Sequence, residues 1–204
     1  MKGNNKLLLL SGGLESFALA YMIRPLNALT IDYGQHSSIG EIKASKKICQ
    51  ILGIRHHVFN CNLNDLGFGE LFGNNTSKLS DIKDWTPFRN QFLITIGCIY
   101  ATKLNLNKVI IGSVIDDDKY KDGSKEFISL IKKVVGFQEG NIEVCAPAIS
   151  EHSVDLIKKS KIPFDTLLWS FSCNRSRYAC GTCRSCLKRS TIIEQLRSEH
   201  YDGS

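Results

Sequence analysis

The chain has 204 residues, a hydrophobic content of 43%, a charged content of 23% and a net charge of +6. This length suits one α/β domain with a small appendage, and this balance excludes a chain that is disordered throughout. No uncharged apolar run reaches the roughly 18 residues of a membrane span, and the N-terminal apolar run is too short for a signal peptide, so we expect a cytoplasmic protein without a membrane partner.

Apolar strand patterns alternate with helical patterns along the chain. Strands are predicted at 6–10, 26–31, 56–60, 108–112 and 142–148, and helices at 16–23, 39–53, 90–104 and 124–135, with one more helix capped by Ser150. Residues 61–88 read as a long irregular loop, and helix 90–104 is apolar enough to be buried. The alternation predicts an α/β fold: a parallel five-stranded Rossmann-like sheet with helices on both faces.

The first predicted strand runs into a turn of small residues that opens a helix. This turn consists of Ser11, Gly12, Gly13, Leu14, Glu15 and Ser16. Glycines let backbone N–H groups approach an anion, and a helix N-terminus adds positive potential, so the turn is typical of a phosphate-binding loop. A plain strand-to-helix turn is the alternative interpretation.

Other polar residues follow the second and fourth predicted strands, where ligands of parallel sheets bind. Asp32 and Tyr33 are predicted to contact adenine and ribose. The run Asp116–Asp117–Asp118 predicts either a Mg²⁺ site beside phosphates or a solvated loop, and its place at the sheet edge favours Asp117.

Three histidines lie near predicted strands. His56 and His57 are predicted to be structural, whereas His36 follows a strand end and is a candidate site residue.

Four of the eight cysteines follow the pattern C-x6-C-x2-C-x2-C. They are Cys173, Cys180, Cys183 and Cys186. Four thiolates in this spacing predict one closed, structural Zn²⁺ site, a zinc knuckle, with an iron–sulfur cluster or incidental thiols as alternatives. We predict a catalytic domain over residues 1–168 and a zinc-binding segment over 169–204. The arginines and lysines around the knuckle predict a solvated basic surface, with RNA or an acidic protein as alternative partners.

The loop after the first strand resembles the S-G-G-x-D-S loop of the PP-loop ATP pyrophosphatases, with Glu15 at the aspartate position. Further segments occur in the order seen in the 7-cyano-7-deazaguanine synthase (QueC) family: "IDYGQ", "EIKASKKICQILG", "PFRN", "YKDGSKEF" and "SC…CGTCRSC". The chain is therefore similar to that family over nearly its whole length. The resemblance implies a sheet of the HUP or PP-loop class and an enzyme that uses ATP, Mg²⁺ and Zn²⁺.

The resemblance makes Arg89 and Asn90 residues that contact the nucleotide or the substrate. Together with the positions at strand ends, this predicts that residues 11–16, Asp32 and Tyr33 bind ATP and that Gln35, Arg89 and Asn90 contact the substrate. Arg89 and Asp117 are predicted to be catalytic. The chain departs from the family pattern at three basic positions. His36 and Ser124 stand where the family has arginines, and the region of His152 and Ser153 stands near the place of a family lysine.

The resemblance implies a carbon–nitrogen ligase that adenylates 7-carboxy-7-deazaguanine, releases AMP and pyrophosphate, and transfers the acyl group to an amine. Because basic groups are lost while the loop remains, we expect an amide product, formed with ammonia or the N-terminus of a partner protein, as in defence-associated relatives. An ordinary synthase of queuosine biosynthesis making the nitrile is one alternative. A weakly active nucleotide- or RNA-binding subunit and an RNA-thiolation enzyme are others. We expect a homodimer, and we expect that the protein does not bind nucleic acid.

Overall fold

The computed structural model describes residues 5–66, 69–74, 83–117 and 120–201. Within these ranges five parallel strands form one sheet in the order β3-β2-β1-β4-β5. The strands are β1 (Lys6–Leu9), β2 (Asn27–Asp32), β3 (Arg55–Asn60), β4 (Lys108–Ile110) and β5 (Glu143–Cys145). The predicted parallel five-stranded sheet is therefore confirmed.

Seven α-helices accompany the sheet in the described part of the chain. They are α1 (Leu14–Ile23), α2 (Ser38–Leu52), α3 (Arg89–Lys103), α4 (Lys125–Gly136), α5 (Ser153–Ser160), α6 (Phe164–Leu167) and α7 (Arg184–Tyr201). The sequence patterns predicted α1 to α5 but missed α6 and α7. None of the described helices is both long and apolar enough to cross a bilayer.

Two hydrophobic cores lie on opposite faces of the sheet. Along β1 the side chains alternate, since Leu8 packs in one core with Phe17 of α1 and Leu9 packs in the other with Ile94 of α3. The first core also holds Ile192 of α7. The predicted zinc-binding segment is thus packed into the same core as the first helix, and the division at residue 168 stays a prediction.

Two local predictions are wrong. Helix α3 buries only Ile94, Gly97 and Ala101, while Ile99 is 62% exposed, because one helix face meets the sheet and the other meets solvent. Helix α5 begins at Ser153 with His152 as its N-cap, and not after Ser150. The backbone N–H of Glu151 bonds to the carbonyl of Ala148, so residues near Ser150 form a turn before the helix.

The predicted loop 61–88 contains one short 3₁₀ helix at Asn64–Leu66. Its residues 67–68 and 75–82 lie outside the described residues, as does Asp118 of the predicted aspartate run.

Candidate active site

A cleft lies at the carboxyl ends of β1 and β4, the neighbouring strands at which the strand order reverses. It consists of two adjoining cavities of about 270 Å³ and 240 Å³. Both cavities are lined by Ser11, Glu15, Glu41, Arg89, Asp117, Tyr120 and Asn174. The shared lining makes them one continuous cleft, which is large enough for a nucleotide-sized ligand to enter in part.

The loop of residues 11–16 forms one wall of this cleft. Gly12 has φ +82°, and a Cβ atom there would lie 2.9 Å from the carbonyl oxygen of Glu41, so only glycine fits without a shift. Gly13 is the N-cap of α1 and makes no side-chain cap bond, which leaves first-turn N–H groups available to a ligand. The hydroxyl of Ser16 donates to the carbonyl of Gly13 (3.0 Å) and fixes the turn.

Glu15 is held by two groups from distant parts of the chain. Its Oε1 accepts a hydrogen bond from Ser153 Oγ (2.7 Å) and forms an ion pair with Lys188 Nζ (2.8 Å). Both residues lie after β5, more than 130 positions along the chain. The carboxylate at the aspartate position of the loop is therefore neutralised inside the protein.

Arg89 begins α3 and lines both cavities of the cleft together with the loop residues Ser11 and Glu15. The preceding residue Phe88 has φ +59°, a left-handed conformation that turns the chain into the helix. Burial disfavours the Arg89 guanidinium, but nearby Tyr33, Asp122 and other acidic groups outweigh this effect and raise its pKa. Tyr33 is buried, which raises its pKa, and its hydroxyl hydrogen-bonds Arg89. A fixed guanidinium here is suited to a phosphate or carboxylate.

The acidic residues after β4 separate into two roles. Asp117 lines the cleft, and burial raises its pKa above the usual range, with Glu15 acting in the same direction. Asp116 points elsewhere: its Oδ1 lies 2.7 Å from His152 Nδ1, and its Oδ2 accepts the N–H of Ser153 (2.8 Å). Of this pair, Asp117 is the one placed to hold a cation in the cleft.

Three other predicted residues have partners within the protein. Asn90 lines the first cavity, but its amide donates to the carbonyl of Asp122 (2.9 Å). Gln35 is 2% exposed and donates to Glu41 Oε2 (3.0 Å). Asp32 accepts the N–H of Gly34 (3.0 Å) within a turn. Gln35 and Asp32 do not line the cleft; they lie behind it, where they order the turn after β2.

Two of the three histidines near predicted strands, His56 and His57, have the structural role that the sequence predicted. His56 Nε2 lies 2.8 Å from Thr30 Oγ1, and His57 Nε2 lies 3.0 Å from Asn27 Oδ1, so both connect β3 to β2. His36 is exposed and packs against Gly73, and it does not line the cleft. His36 stands where the family pattern has an arginine, and its side chain does not supply a cation to the cleft.

Several polar residues of the cleft were missed as site residues, among them Glu41, Tyr120, Asn174 and Lys188. Burial raises the pKa of Glu41, although bonds from Ser37 and Gln35 oppose the shift. Tyr120 donates to Asp84 (2.6 Å), and Asn174 donates to the same carboxylate (3.3 Å). Asn174 directly follows Cys173 and Lys188 follows Cys186 by two residues, so proximity to the cysteine pattern was the available signal.

The four predicted metal ligands converge. The sulfur atoms of Cys173, Cys180, Cys183 and Cys186 all lie within 4.8 Å of one another. Backbone N–H groups point at these sulfurs, including Cys183 N to Cys180 Sγ (3.3 Å) and Cys186 N to Cys183 Sγ (3.4 Å). Such bonds favour the thiolate and lower the pKa of Cys180 to about 6. Four sulfurs at this spacing fit one tetrahedral metal ion.

The cysteine cluster is joined to the cleft by the residues around it. The N–H of Phe171 donates to the carbonyl of Gly12 (2.8 Å), and the Phe171 ring packs on Gly40 of α2. Arg175 pairs with Glu70, and Arg184 lies 3.8 Å from Asp84. Several basic residues of this segment therefore have partners within the protein.

Comparison with known proteins agrees with this architecture. The family model described as "Queuosine biosynthesis protein QueC" matches residues 5–197. The 7-cyano-7-deazaguanine synthase 1 of Desulfitobacterium hafniense is 30% identical, with 99% of each chain covered. The 7-cyano-7-deazaguanine synthase of Picrophilus torridus is 32% identical, with 89% of this chain and 83% of the relative covered.

Two solved structures share the fold at low identity. A U34-tRNA thiolase, NcsA, from Methanococcus maripaludis with its [4Fe-4S] cluster superposes with a TM-score of 0.53 at 18% identity, covering 96% of this chain and 66% of the thiolase. The NMN synthetase of Francisella tularensis gives 0.50 at 14% identity, covering 97% and 78%. With a family model matching nearly the whole chain around a phosphate-type loop and a four-cysteine cluster, this chain is a divergent member of the QueC family.

Proposed function

We propose that this chain is an ATP-dependent enzyme that adenylates 7-carboxy-7-deazaguanine and transfers the acyl group to an amine. The observation that carries the proposal is the cleft itself, which the loop after β1 and Arg89 line together in a chain of the QueC family. The relatives bear the name 7-cyano-7-deazaguanine synthase. That name gives the reaction product, a deazaguanine nitrile, which is made from the corresponding carboxylate.

The first step forms an acyl-adenylate. A carboxylate oxygen of the substrate attacks the α-phosphorus of ATP, the bond to the bridging oxygen of the β-phosphate breaks, and pyrophosphate leaves. The N–H groups of the loop would stabilise the negative charge on the phosphates, and Arg89 would orient the carboxylate or the α-phosphate. No nucleophilic side chain is required for this step.

The second step forms the amide. An amine attacks the acyl carbon, AMP leaves as its carboxylic–phosphoric anhydride bond breaks, and the amine loses a proton to solvent. The amine is ammonia or the amino group of a partner protein. Because His36 lies outside the cleft and Ser153 bonds to Glu15, the basic groups expected at those positions are not supplied there. We therefore place the end of the reaction at the amide.

Mg²⁺ and Zn²⁺ have separate candidate ligands. Asp117 and Glu15 line the cleft beside the loop and would hold a magnesium ion that offsets phosphate charge. The four cysteines would hold zinc in a closed site that orders the segment around Phe171. We assign the zinc a structural role because all four positions around it would be filled by protein sulfur.

One observation favours a second function, complete conversion to the nitrile. In that reaction the amide oxygen attacks the α-phosphorus of a second ATP and pyrophosphate leaves. The nitrogen then loses both of its protons to solvent, and departure of AMP with the former amide oxygen leaves the carbon–nitrogen triple bond. Lys188 Nζ and Ser153 Oγ both bond to Oε1 of Glu15. A cation from α7 therefore lies beside Ser153, in the region where the family pattern has a lysine. If that charge suffices, the chain is an ordinary 7-cyano-7-deazaguanine synthase.

Mass spectrometry of the products separates these functions. The purified chain is incubated with ATP, Mg²⁺ and 7-carboxy-7-deazaguanine, with and without ¹⁵N-labelled ammonia. We expect AMP, pyrophosphate and a ¹⁵N-labelled amide, with no amide when ATP or ammonia is omitted. Rapid accumulation of the labelled nitrile would establish the second function. Absence of AMP under all conditions would overturn both, and would leave a nucleotide-binding subunit.

A further inference from the structure

Lys188 lies on α7, far from the loop in sequence, yet its side chain lines the second cavity together with loop residues Ser11, Gly13 and Glu15. Its ammonium forms an ion pair with Glu15 at 2.8 Å. The side chains are 34% exposed for Lys188 and 19% exposed for Glu15. A cation is therefore held beside the phosphate-type loop in a sheltered position.

The other cations that line this cavity have their partners outside the phosphate-type loop. Arg189 donates to Ser170 Oγ (3.0 Å) and to the carbonyl of Leu168 (2.9 Å). Arg184 donates to Tyr120 (3.2 Å) and lies near Asp84. Arg89 lines both cavities and lies near Tyr33 and Asp122. Among the described lining residues, Lys188 is thus the cation whose partner is the loop itself.

A sheltered charge is costly when it is left without a partner, so an exchange of one anionic partner for another avoids that cost. A phosphate bound at the first turn of α1 would offer Lys188 a second acceptor close to the carboxylate it now contacts. The lysine side chain has four methylene groups and rotates freely enough to move between two such acceptors. Exchange would also release the Glu15 carboxylate toward a cation that accompanies the phosphates.

We propose that Lys188 is a phosphate-binding residue of this cleft, which leaves Glu15 and contacts the pyrophosphate portion of ATP. The inference rests on the proposed function for the identity of the ligand. It assigns a separate role to each of two cations in the cleft. Lys188 contacts the leaving pyrophosphate, and Arg89 contacts the reacting carboxylate and the α-phosphate. The alternative is that Lys188 only neutralises Glu15 and never contacts ligand.

The test is a double-mutant cycle read by calorimetric titration with inorganic pyrophosphate in magnesium-free buffer. We expect Lys188→Ala to weaken binding at least about tenfold, as expected for loss of a charge-assisted hydrogen bond, and Lys188→Arg to retain most of the affinity. Lys158→Ala is the matched control, since Lys158 forms an exposed pair with Glu199 away from the cleft. Thermal unfolding and zinc content verify that each variant is folded.

The second arm of the cycle is Glu15→Gln, alone and combined with Lys188→Ala. If Lys188 contacts phosphate, Glu15→Gln strengthens pyrophosphate binding by freeing the lysine, and this gain disappears in the double variant. If Lys188 only neutralises Glu15, the double variant binds pyrophosphate as well as the parent does, and the proposal is overturned.

The outcomes separate this inference from the proposed function. Equal binding of pyrophosphate by the parent and by Lys188→Ala, or no binding by the parent, overturns the inference even if the parent makes product. Binding that depends on Lys188 in a chain that never forms AMP supports the inference and refutes the proposed function.

Discussion

The phosphate-type loop and the cysteine cluster are both short segments with a recognisable pattern, but they are held in different ways. The loop depends on remote partners: Phe171 bonds to Gly12, and Lys188 and Ser153 bond to Glu15. Most of the backbone N–H groups that bond to the cluster sulfurs come from residues 181–186, within the cluster's own turn. A substitution that disrupts the cluster should therefore also disrupt the loop, whereas a substitution in the loop should leave the cluster intact.

The largest effect should come from breaking the cluster. Cys183 is 1% exposed among the other sulfurs, and Cys183→Ser should abolish zinc binding and cost several kcal/mol of folding free energy, since structural zinc contributes about 10 kcal/mol or more in small zinc domains. Metal analysis and thermal unfolding measure both changes, and ATP affinity should fall as Phe171 and Lys188 are displaced. Cys98→Ser on α3 is the control. A zinc-loaded Cys183→Ser variant would contradict the assignment.

Arg89→Ala should remove activity while sparing both regions. The guanidinium lies among Tyr33, Tyr120 and Asp122 without touching the cluster. Loss of a fixed charge at the reacting groups should lower AMP formation about 100-fold or more. Zinc content should stay at one per chain. Arg55→Ala, on the exposed edge of β3, is the matched control and should turn over normally. Unchanged turnover in Arg89→Ala would remove this residue from the site.

Adjacent glycines of the loop offer a matched comparison, because the same methyl group is added at two neighbouring positions. Gly12→Ala should cost about 1–3 kcal/mol of stability, since its φ is +82° and its Cβ would meet the Glu41 carbonyl at 2.9 Å. Gly13→Ala meets nothing closer than 3.5 Å, so its stability should hardly change.

At Gly13 the substitution should change ATP affinity and not stability. Its added methyl group lies where phosphate would approach the backbone, so ATP affinity should fall without loss of stability, and Gly13→Val should weaken binding further. Calorimetric titration with ATP and thermal unfolding test the pair. Loss of zinc in either variant would refute the proposed independence of the cluster, and unchanged ATP binding by Gly13→Val would place the phosphates elsewhere.

The smallest effect concerns a region apart from both, the contact between β2 and β3. Burial, reinforced by His57 and Lys46, lowers the pKa of His56 below its usual value. The unfolded chain therefore binds a proton more readily than the folded chain, so His56 costs stability as the pH falls below about 6.5. His56→Gln should lose less thermal stability than the parent between pH 7.5 and 5.5. The difference between the two proteins is the measured quantity, because Glu41 and His152 titrate in both.

The strands, the helices α1 to α5 and the four-cysteine pattern could be predicted from the sequence because each depends on local periodicity or spacing. Alternation of Leu7, Leu8 and Leu9 between the two cores follows from strand geometry alone. The spacing of the cysteines is itself the geometric requirement of a tetrahedral site. The loop of residues 11–16 was also visible, since a strand, a turn of small residues and a helix follow one another directly along the chain.

The rest of the site could not be predicted, because contacts between remote residues leave no local signal. The same aspartate run sends Asp117 into the cleft and Asp116 to His152, a difference that only the packing of α5 decides. By itself the sequence determined a parallel sheet, a phosphate-type loop and a cluster of four cysteines. Only the tertiary structure brought α7 across the loop and placed Lys188 against Glu15, since charge pairing between residues 173 positions apart depends on how the chain folds back and not on any pattern along it.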